Sequence, residues 1–577
     1  MIKKILFLIC FLHSILIHAQ TIYYVDGAGG SNSNTGTSLL QAWKTIQKAC
    51  DAATPNSIVE IKAGTYYENL VLNVSGTAGN PITFRNYQND SVFIDGTGTA
   101  GTTLMSITDQ NYLTFDNLVF QNLTVNNAQG ILAQTSTSGT STGLRFHNLI
   151  IRHINWTANA SAIPNSNDNA QAFIVYGLAN GMTHLTVDSC QVYSNILGFS
   201  EAVSIDGNIN GFTVSNCLVH DNTNIGILAA GNYGTSPNPS TDHARHGLIT
   251  RNTCFNNVSL YATSAGIYID GGWSVVVDGN KSYGNGSGIE LGCEQNGTTD
   301  SITVKNNIIY NNQYTGLAIG GYTTATTGQV TNSLVRNNTF FHNTLPANNT
   351  GEIEMSKASN CTIENNVFYT DPQNILFTAD SIAPQLNNTF DYNCWFTPGN
   401  DSTNITVQWL QTNYTTFGAY RAGTSLEAHS FYADPLLSNA VLPQPDLHLV
   451  NLSPCINRSN PATVISAGET DFDGNPRLNG ARVDIGAYEY DLISGMKEDY
   501  VSRANLELYP NPASAAIFLR TESSIRNIQL ISMEGVVLRE WNHVPNLISL
   551  DGLPSGIYMV RLITKEGEII CRVFTRQ

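Results

Sequence analysis

I302-T-V-K-N-N-I-I-Y-N-N312 is the clearest copy of a pattern that runs through the middle of the chain: apolar-x-Asn-Asn-x-x-aromatic-x-Asn. S333-L-V-R-N-N-T-F-F-H-N343 and C361-T-I-E-N-N-V-F-Y369 follow it; T250-R-N-T-C-F-N-N257 and V276-V-D-G-N-K-S-Y-G-N285 precede it. The copies return roughly every 27 to 31 residues, and a fixed period of that size marks a solenoid. Aligned, they place Asn117, Asn148, Asn252, Asn280, Asn307, Asn338 and Asn366 in one column, with Cys190 and Cys217 filling the same slot in two further copies. A neighbouring column holds Phe120, Tyr193, His220, Phe255, Tyr283, Tyr310, Phe341 and Tyr369.

The repeat chemistry selects the kind of solenoid. Each copy carries short β-branched runs, such as Ile302-Thr303-Val304, broken by Gly and Asn, and no 3.6-residue period spans a repeat. Short strands separated by turns fit this pattern. Asn tolerates left-handed backbone angles and suits a sharp corner. Stacked over successive coils, its amide can bond the coils above and below. These Asn residues therefore read as structural.

The pattern resembles the right-handed parallel β-helix of the pectin-lyase-like superfamily over roughly residues 21 to 490. T21-I-Y-Y-V-D-G-A-G-G-S-N-S-N-T-G-T, A42-W-K-T-I-Q-K-A-C-D-A-A53 and I58-V-E-I-K-A-G-T-Y-Y-E68 are similar to the first strand, capping helix and first coil of such proteins. A solenoid needs a cap over its open core. Ile46, Ala49, Cys50 and Ala53 share one helical face, as a cap requires. The expected fold class is all-β, a right-handed parallel β-helix at 20–490 whose closing segment spans about 430–490.

The chain has 577 residues, 12% of them charged, and a net charge of −17. That balance argues against nucleic acid and against an anionic membrane surface. Residues 1–19 read as a secretory signal peptide, with Lys3 and Lys4 before the apolar run Ile5 to Ile17 and Ala19 at the cleavage point. No later run of about 20 apolar residues predicts a transmembrane segment. The ten cysteines lack paired metal spacing and read as buried thiols rather than a disulfide framework.

Residues 491–503 lack the repeat and read as a linker. Beyond them, apolar alternation between Gly and Pro turns predicts a small β-sandwich at 504–577. Pro510-Asn511-Pro512, the Met533-Glu534-Gly535 turn and L553-P-S-G-I-Y558 resemble the C-terminal sorting domain of the type IX secretion system. That resemblance implies a Bacteroidetes-type source, the type IX machinery as partner, and a secreted or outer-membrane-surface protein. Asp471, Asp473 and Asn475 lack the Glu of an EF-type calcium loop and read as a structural turn.

Two segments depart from repeat filling: S264-A-G-I-Y-I-D-G-G272 and G286-S-G-I-E-L-G-C-E-Q-N-G297. Aligning Ile267 with Ile289 sets Tyr268 beside Glu290 and Asp270 beside Gly292. Strand alternation points these side chains outward, and coils about 4.8 Å apart gather them in one patch. Asp206 lies on a preceding coil, Glu354 on a following one, and Glu294 just past the strand. Asp270 with Glu290 or Glu294 is the candidate catalytic pair, since neighbouring carboxylates split into an acid and a base. Tyr268, Trp273, Tyr322 and Glu354 are candidate substrate contacts, joined by His243, Arg245 and His246 of the long loop 231–247.

The expected function is a polysaccharide-cleaving glycoside hydrolase without a cofactor, acting as a monomer. One alternative is a Ca²⁺-dependent polysaccharide lyase with Asp206, Asp270, Glu290 and Glu294 as metal ligands, because the superfamily resemblance implies lyases as well as hydrolases. The other is a non-catalytic surface adhesin.

Overall fold

Each coil contributes three short strands. Ala265–Asp270, Val276–Asp278 and Lys281–Tyr283 pair in parallel with Ser287–Gly292, Thr303–Lys305 and Ile308–Tyr310 of the next coil. This is the computed structural model of residues 20–321, 327–345, 348–370, 373–380, 385–399, 402–490, 506–521, 525–532, 537–543, 545, 547–565 and 569–577. The expected signal peptide, the linker at 491–503 and Tyr322 lie outside the described residues. The chain divides into two units, ending and beginning at Tyr490 and Asp491.

In the first unit the alternation of inward and outward residues builds the core. Val277, Val304, Val335 and Ile363 stack in register and are fully buried. Phe173, Val203, Ile227, Ile267, Ile289 and Leu317 do the same beneath the first strands of the coils. Gly288 and Gly316 sit where that strand meets the opposite wall. A Cβ on Gly288 would lie 2.3 Å from Ile309 Cγ2 and 2.5 Å from the Gly316 carbonyl oxygen.

The Asn-Asn pairs divide two jobs between them. The first of each pair takes the left-handed corner: Asn306, Asn337 and Asn365 have φ of 56, 55 and 58°. The second is buried and forms a ladder. Asn252, Asn280, Asn307, Asn338, Asn366 and Asn393 each accept, at Oδ1, hydrogen bonds from the coil before. The trailing Asn of the motif forms a second ladder through Asn195, Asn222, Asn257, Asn285, Asn312 and Asn343. Each ladder ends on a buried carboxylate. Asn343 donates its amide N–H and Nδ2 to Glu352, and Asn393 donates Nδ2 to Glu427.

Two columns are displaced from their expected alignment by one residue. Asn117 and Asn148 have φ of 55° and belong to the corner, not the ladder. The ladder position in those coils holds the buried Leu118 and Leu149. Phe120 pairs with Ile151 and points into the core, whereas Gln121 and Arg152 lead into the aromatic column. That column is a true stack from Tyr193 through His220, Phe255 and Tyr283 to Tyr310, with centroids 4.6–5.1 Å apart.

The helix Ile46–Ala52 covers the N-terminal end with Ile46, Ala49 and Cys50 buried. Glu68 caps it, accepting from Ile46 N and Gln47 N at 3.0 and 2.9 Å. At the other end, the antiparallel pair Thr406–Trp409 and Thr412–Tyr414 and the helix Phe417–Thr424 close the core with Phe417 and Tyr420. The expected closing segment does something else. From Leu437 onward it runs back along the 13-stranded sheet, packing Leu447, Ala487 and Tyr488 on Tyr310, Phe341 and Tyr369. Thr339 Oγ1 accepts from Ala487 N at 3.0 Å, and at the neighbouring corner Arg336 donates to Glu469 at 2.8 Å. Asp471 takes the turn role, accepting from Asn475 N and Glu489 N. Among the described residues, eight cysteines are buried free thiols.

The second unit holds two antiparallel sheets, one of three strands and one of four. Their shared core contains Ile517, Ile528, Leu530, Val560, Leu562 and Phe574. Among the described residues, no helix is long and apolar enough to cross a membrane.

Candidate active site

The outward residues of the first strands fall into two columns. Leu228, Tyr268, Glu290, Ala318 and Glu354 stack in one. Tyr176, Asp206 and Ala230 align in the other, which continues through Asp270, Gly292 and Gly320. The register expected for Tyr268, Asp270, Glu290 and Glu354 is the one observed.

Tyr268, only 2% exposed, is a partition on this face. On one side is a cleft of about 280 Å³ lined by Glu201, Asp206, Asp270 and Glu294 with Tyr176, Phe199 and Tyr233. On the other is a cleft of about 450 Å³ lined by Glu290, Glu354 and Asp380 with Tyr314, Gly320 and Gly321. Glu290 lines the other cleft from Asp270, yet still feels Asp270 and Glu294: burial, then the Glu294 and Asp270 charges, push it up to about 8. Of the two candidate pairs, the one that shares a cleft is Asp270 with Glu294.

Their geometry is set by one loop residue. The Tyr233 hydroxyl donates to Asp270 Oδ2, and Glu294 Oε2 lies 3.2 Å from the same hydroxyl. Asp270 Oδ1 accepts from the Glu294 backbone N–H at 2.8 Å. Two oxygens sharing one hydroxyl lie within about 6 Å of each other. Asp270 is therefore fixed by two donors and 1% exposed, while Glu294 is half-buried. Asp206 Oδ2 accepts from Thr235 Oγ1 at 3.0 Å, and its Oδ1 has no hydrogen-bond partner.

Crowding carboxylates under little water raises their affinity for protons. Burial and then the Glu294 charge push Asp270 up to about 7. Burial pushes Glu294 upward too. Burial, with Glu294, Asp206 and Asp270 as further causes, takes Glu201 to about 8. Burial holds Asp206 at about 6. Glu201 therefore retains its proton at neutral pH and Asp270 is close to half-protonated there, its titration linked to that of Glu294.

Several sequence-predicted contacts lie elsewhere. His243 is 1% exposed and stacked on Trp273 at 3.6 Å, and its ring nitrogens face the carbonyl oxygens of Gly271 and Pro239. Trp273 Nε1 donates to the Thr298 carbonyl. Arg245 donates to the carbonyls of Thr241 and His243 and to Asn208 Oδ1. His246 is exposed at a corner with φ of 50°, its Nδ1 2.7 Å from Asn210 Oδ1. These four side chains build the loop and its footing, and none lines either cleft. Among the described residues, no three His, Cys, Asp or Glu side chains converge as a metal site requires. Asp206, Asp270 and Glu294 line the first cleft and Glu290 the second.

Glu201, Tyr176, Phe199 and Tyr233 were not singled out by sequence. Tyr176 was reachable by extending the Asp206 column one coil back. Glu201 precedes its strand and Tyr233 sits in an insertion, so no repeat register points to them.

The chain is 33% identical to the protein YwoF of Bacillus subtilis strain 168, itself uncharacterized, over 427 residues covering 72% of this chain and 88% of that protein. This chain belongs to the YwoF family. Within this YwoF-family chain, residues 242–408 match the right handed beta helix region model, and residues 507–575 match the secretion system C-terminal sorting domain. The second match assigns the protein to type IX export and to the cell surface or the medium. Among solved structures, the chain is similar to the pectate lyase Pel9A, with TM-score 0.45 and 18% identity over 82% of this chain and 96% of that one. It is also similar to XylC in its complex with xylose, with TM-score 0.39 and 10% identity over 68% and 88%. A third is the GH136 lacto-N-biosidase of Eubacterium ramulus, with TM-score 0.40 and 15% identity over 66% and 64%.

Proposed function

We propose that this protein is a secreted glycoside hydrolase of the retaining kind, with Asp270 as nucleophile and Glu294 as acid and base. The observation that carries this reading is the pair of carboxylates converging on the Tyr233 hydroxyl. Retaining enzymes hold their two carboxyl groups about 5–5.5 Å apart, inverting ones about 6.5–9.5 Å. Two groups bridged by one hydroxyl fit the first range.

In the first step an Asp270 carboxylate oxygen bonds the anomeric carbon as the glycosidic C–O bond breaks. Glu294 gives its proton to the departing oxygen. In the second step Glu294 takes a proton from water, the water oxygen bonds the anomeric carbon, and the Asp270–carbon bond breaks. The Tyr233 hydroxyl and the Glu294 N–H hold Asp270 in its attacking rotamer. Burial raises the Glu294 carboxyl above its usual range, the direction a general acid needs.

The lyase reading needs a base of raised strength and a positive partner for a uronate carboxylate. Among the described residues, no Lys, Arg or His lines either cleft and no three acidic, His or Cys side chains gather as a cation site.

The test is proton NMR of the first-formed anomer on a panel of polysaccharides. The expected result is retention of configuration with no unsaturated product, and loss of turnover by about 10³-fold or more in D270N and in E294Q. Unsaturated uronate product, or full activity in both variants, would sink the assignment. Glycan binding without cleavage by the unaltered protein would leave the adhesin reading.

A further inference from the structure

We infer that the two clefts together form a binding surface for an uncharged glycan, which excludes uronate chains and seats sugar rings against the exposed faces of Phe199 and Tyr233. This deepens the hydrolase reading and rests on it for the identity of the site.

The two clefts share Thr263 on their linings, so they adjoin across Tyr268. Seven carboxylates line them: Glu201, Asp206, Asp270 and Glu294 in one, Glu290, Glu354 and Asp380 in the other. No lining residue carries a positive charge. The nearest candidates are committed elsewhere, since Arg245 donates to two backbone carbonyls and Lys357 Nζ to the Thr327 carbonyl. The stretches between Gly321 and Gln385 outside the described residues contain no Lys, Arg or His.

Burial raises Glu201 and Glu290 to about 8 and Asp270 to about 7, so part of this lining is neutral near pH 7. As pH rises it becomes wholly negative, and a cleft lined by one sign of charge depletes ligands of the same sign. A carboxylated sugar entering here loses water and gains no cationic partner, the costly case for a buried ion. A calcium ion would offset this, but among the described residues no three carboxylates converge to hold one. Hydroxyl groups meet no such penalty, because ionised carboxylates accept from them and protonated carboxyls can both donate and accept. The apolar side of the site is also present. Phe199 and Tyr233 are each 43% exposed beside the carboxylate pair. Phe199 is held edge-on by Tyr261, whose hydroxyl donates to the Thr223 carbonyl at 3.0 Å. Aromatic faces of this kind pack against the C–H face of a sugar ring while its hydroxyls reach the polar wall.

The experiment is calorimetric binding with the full secreted chain, unaltered and as D270N. The probes are neutral xylo-, gluco-, galacto- and arabino-oligosaccharides and oligogalacturonate, each with calcium and with chelator. The expected result is binding of at least one neutral series, with oligogalacturonate weaker by about tenfold or more in either condition. F199A should weaken the neutral ligand, and E290Q with E354Q should bring oligogalacturonate closer to it. Oligogalacturonate bound as tightly as the neutral glycans, with or without calcium, overturns the inference, as does failure of every neutral series to bind. Neutral binding without cleavage removes the hydrolase reading and leaves the ligand class standing.

Discussion

Asn307 shows what a single side chain contributes to this solenoid. Its Oδ1 accepts from the backbone N–H and Nδ2 of Asn280, and its Nδ2 donates to the Val277 carbonyl and Asn338 Oδ1. N307L would strand these groups in a dry core, and unmade buried hydrogen bonds are expensive. We expect a loss of about 2–4 kcal/mol, read by thermal or denaturant unfolding. His448 offers a second residue-scale test. Burial pulls its pKa down, but hydrogen bonds to Asp473 and Asp446 outweigh that and lift it to about 9. A raised histidine adds stability that is complete below its unfolded value near 6.5 and fades as pH rises through about 9. The melting-temperature gap between the natural protein and H448A should therefore be wide at pH 6 and nearly closed at pH 10.

At the scale of elements, the ladders explain why two carboxylates can sit buried in a solenoid wall. The last Asn of a ladder still has donors to satisfy, and a carboxylate accepts without needing to donate. Glu427 is fully buried and accepts from Trp395 Nε1 at 2.9 Å as well as from Asn393. Burial lifts its pKa to about 7 against the pull of Ser430, Asn393 and Trp395. Its proton-linked contribution to stability is present at pH 4 and is lost as pH rises through about 7. E427A should flatten that part of the stability–pH curve while lowering stability throughout, because it removes the acceptor of three donors, Asn393, Trp395 and Ser430. Close packing of the coil walls sets another limit. Alanine at Gly288 would press a methyl group onto a backbone carbonyl, and overpacking of this kind costs about 1–3 kcal/mol.

At the scale of the molecule, the two units carry separable duties. The solenoid has its own continuous core and its own end caps. Removal of the chain from Asp491 onward should leave it folded but abolish its appearance at the surface, as read by protease accessibility of intact cells. The clustering of charge across coils has a kinetic consequence as well. The proposed mechanism needs one proton on the Asp270–Glu294 pair, so rate should fall at both pH extremes. Asp206 helps hold that proton, since its negative charge raises Asp270. D206N removes the charge and makes the proton easier to lose. The alkaline limb of kcat/KM should move toward lower pH.

The repeat, the Asn ladder, the N-terminal cap and the sorting unit were all legible in the linear chain, because each follows from local rules of period, corner conformation and turn chemistry. The outward register of Tyr268, Asp270, Glu290 and Glu354 was legible too, since strand alternation fixes it. Periodicity alone misplaced Asn117, Asn148 and Phe120 by one residue, because an Asn at the corner and an Asn in the ladder look alike until the pairing partner is known. Resemblance to the closing segments of other β-helices sent the stretch after residue 430 to the open end, where a hairpin and helix already close the core. The division of the carboxylates depended on tertiary structure. Which acids share a cleft is decided by Tyr268 standing between them and by Tyr233 reaching in from an insertion. Contacts made by side chains far apart in sequence leave no period to read.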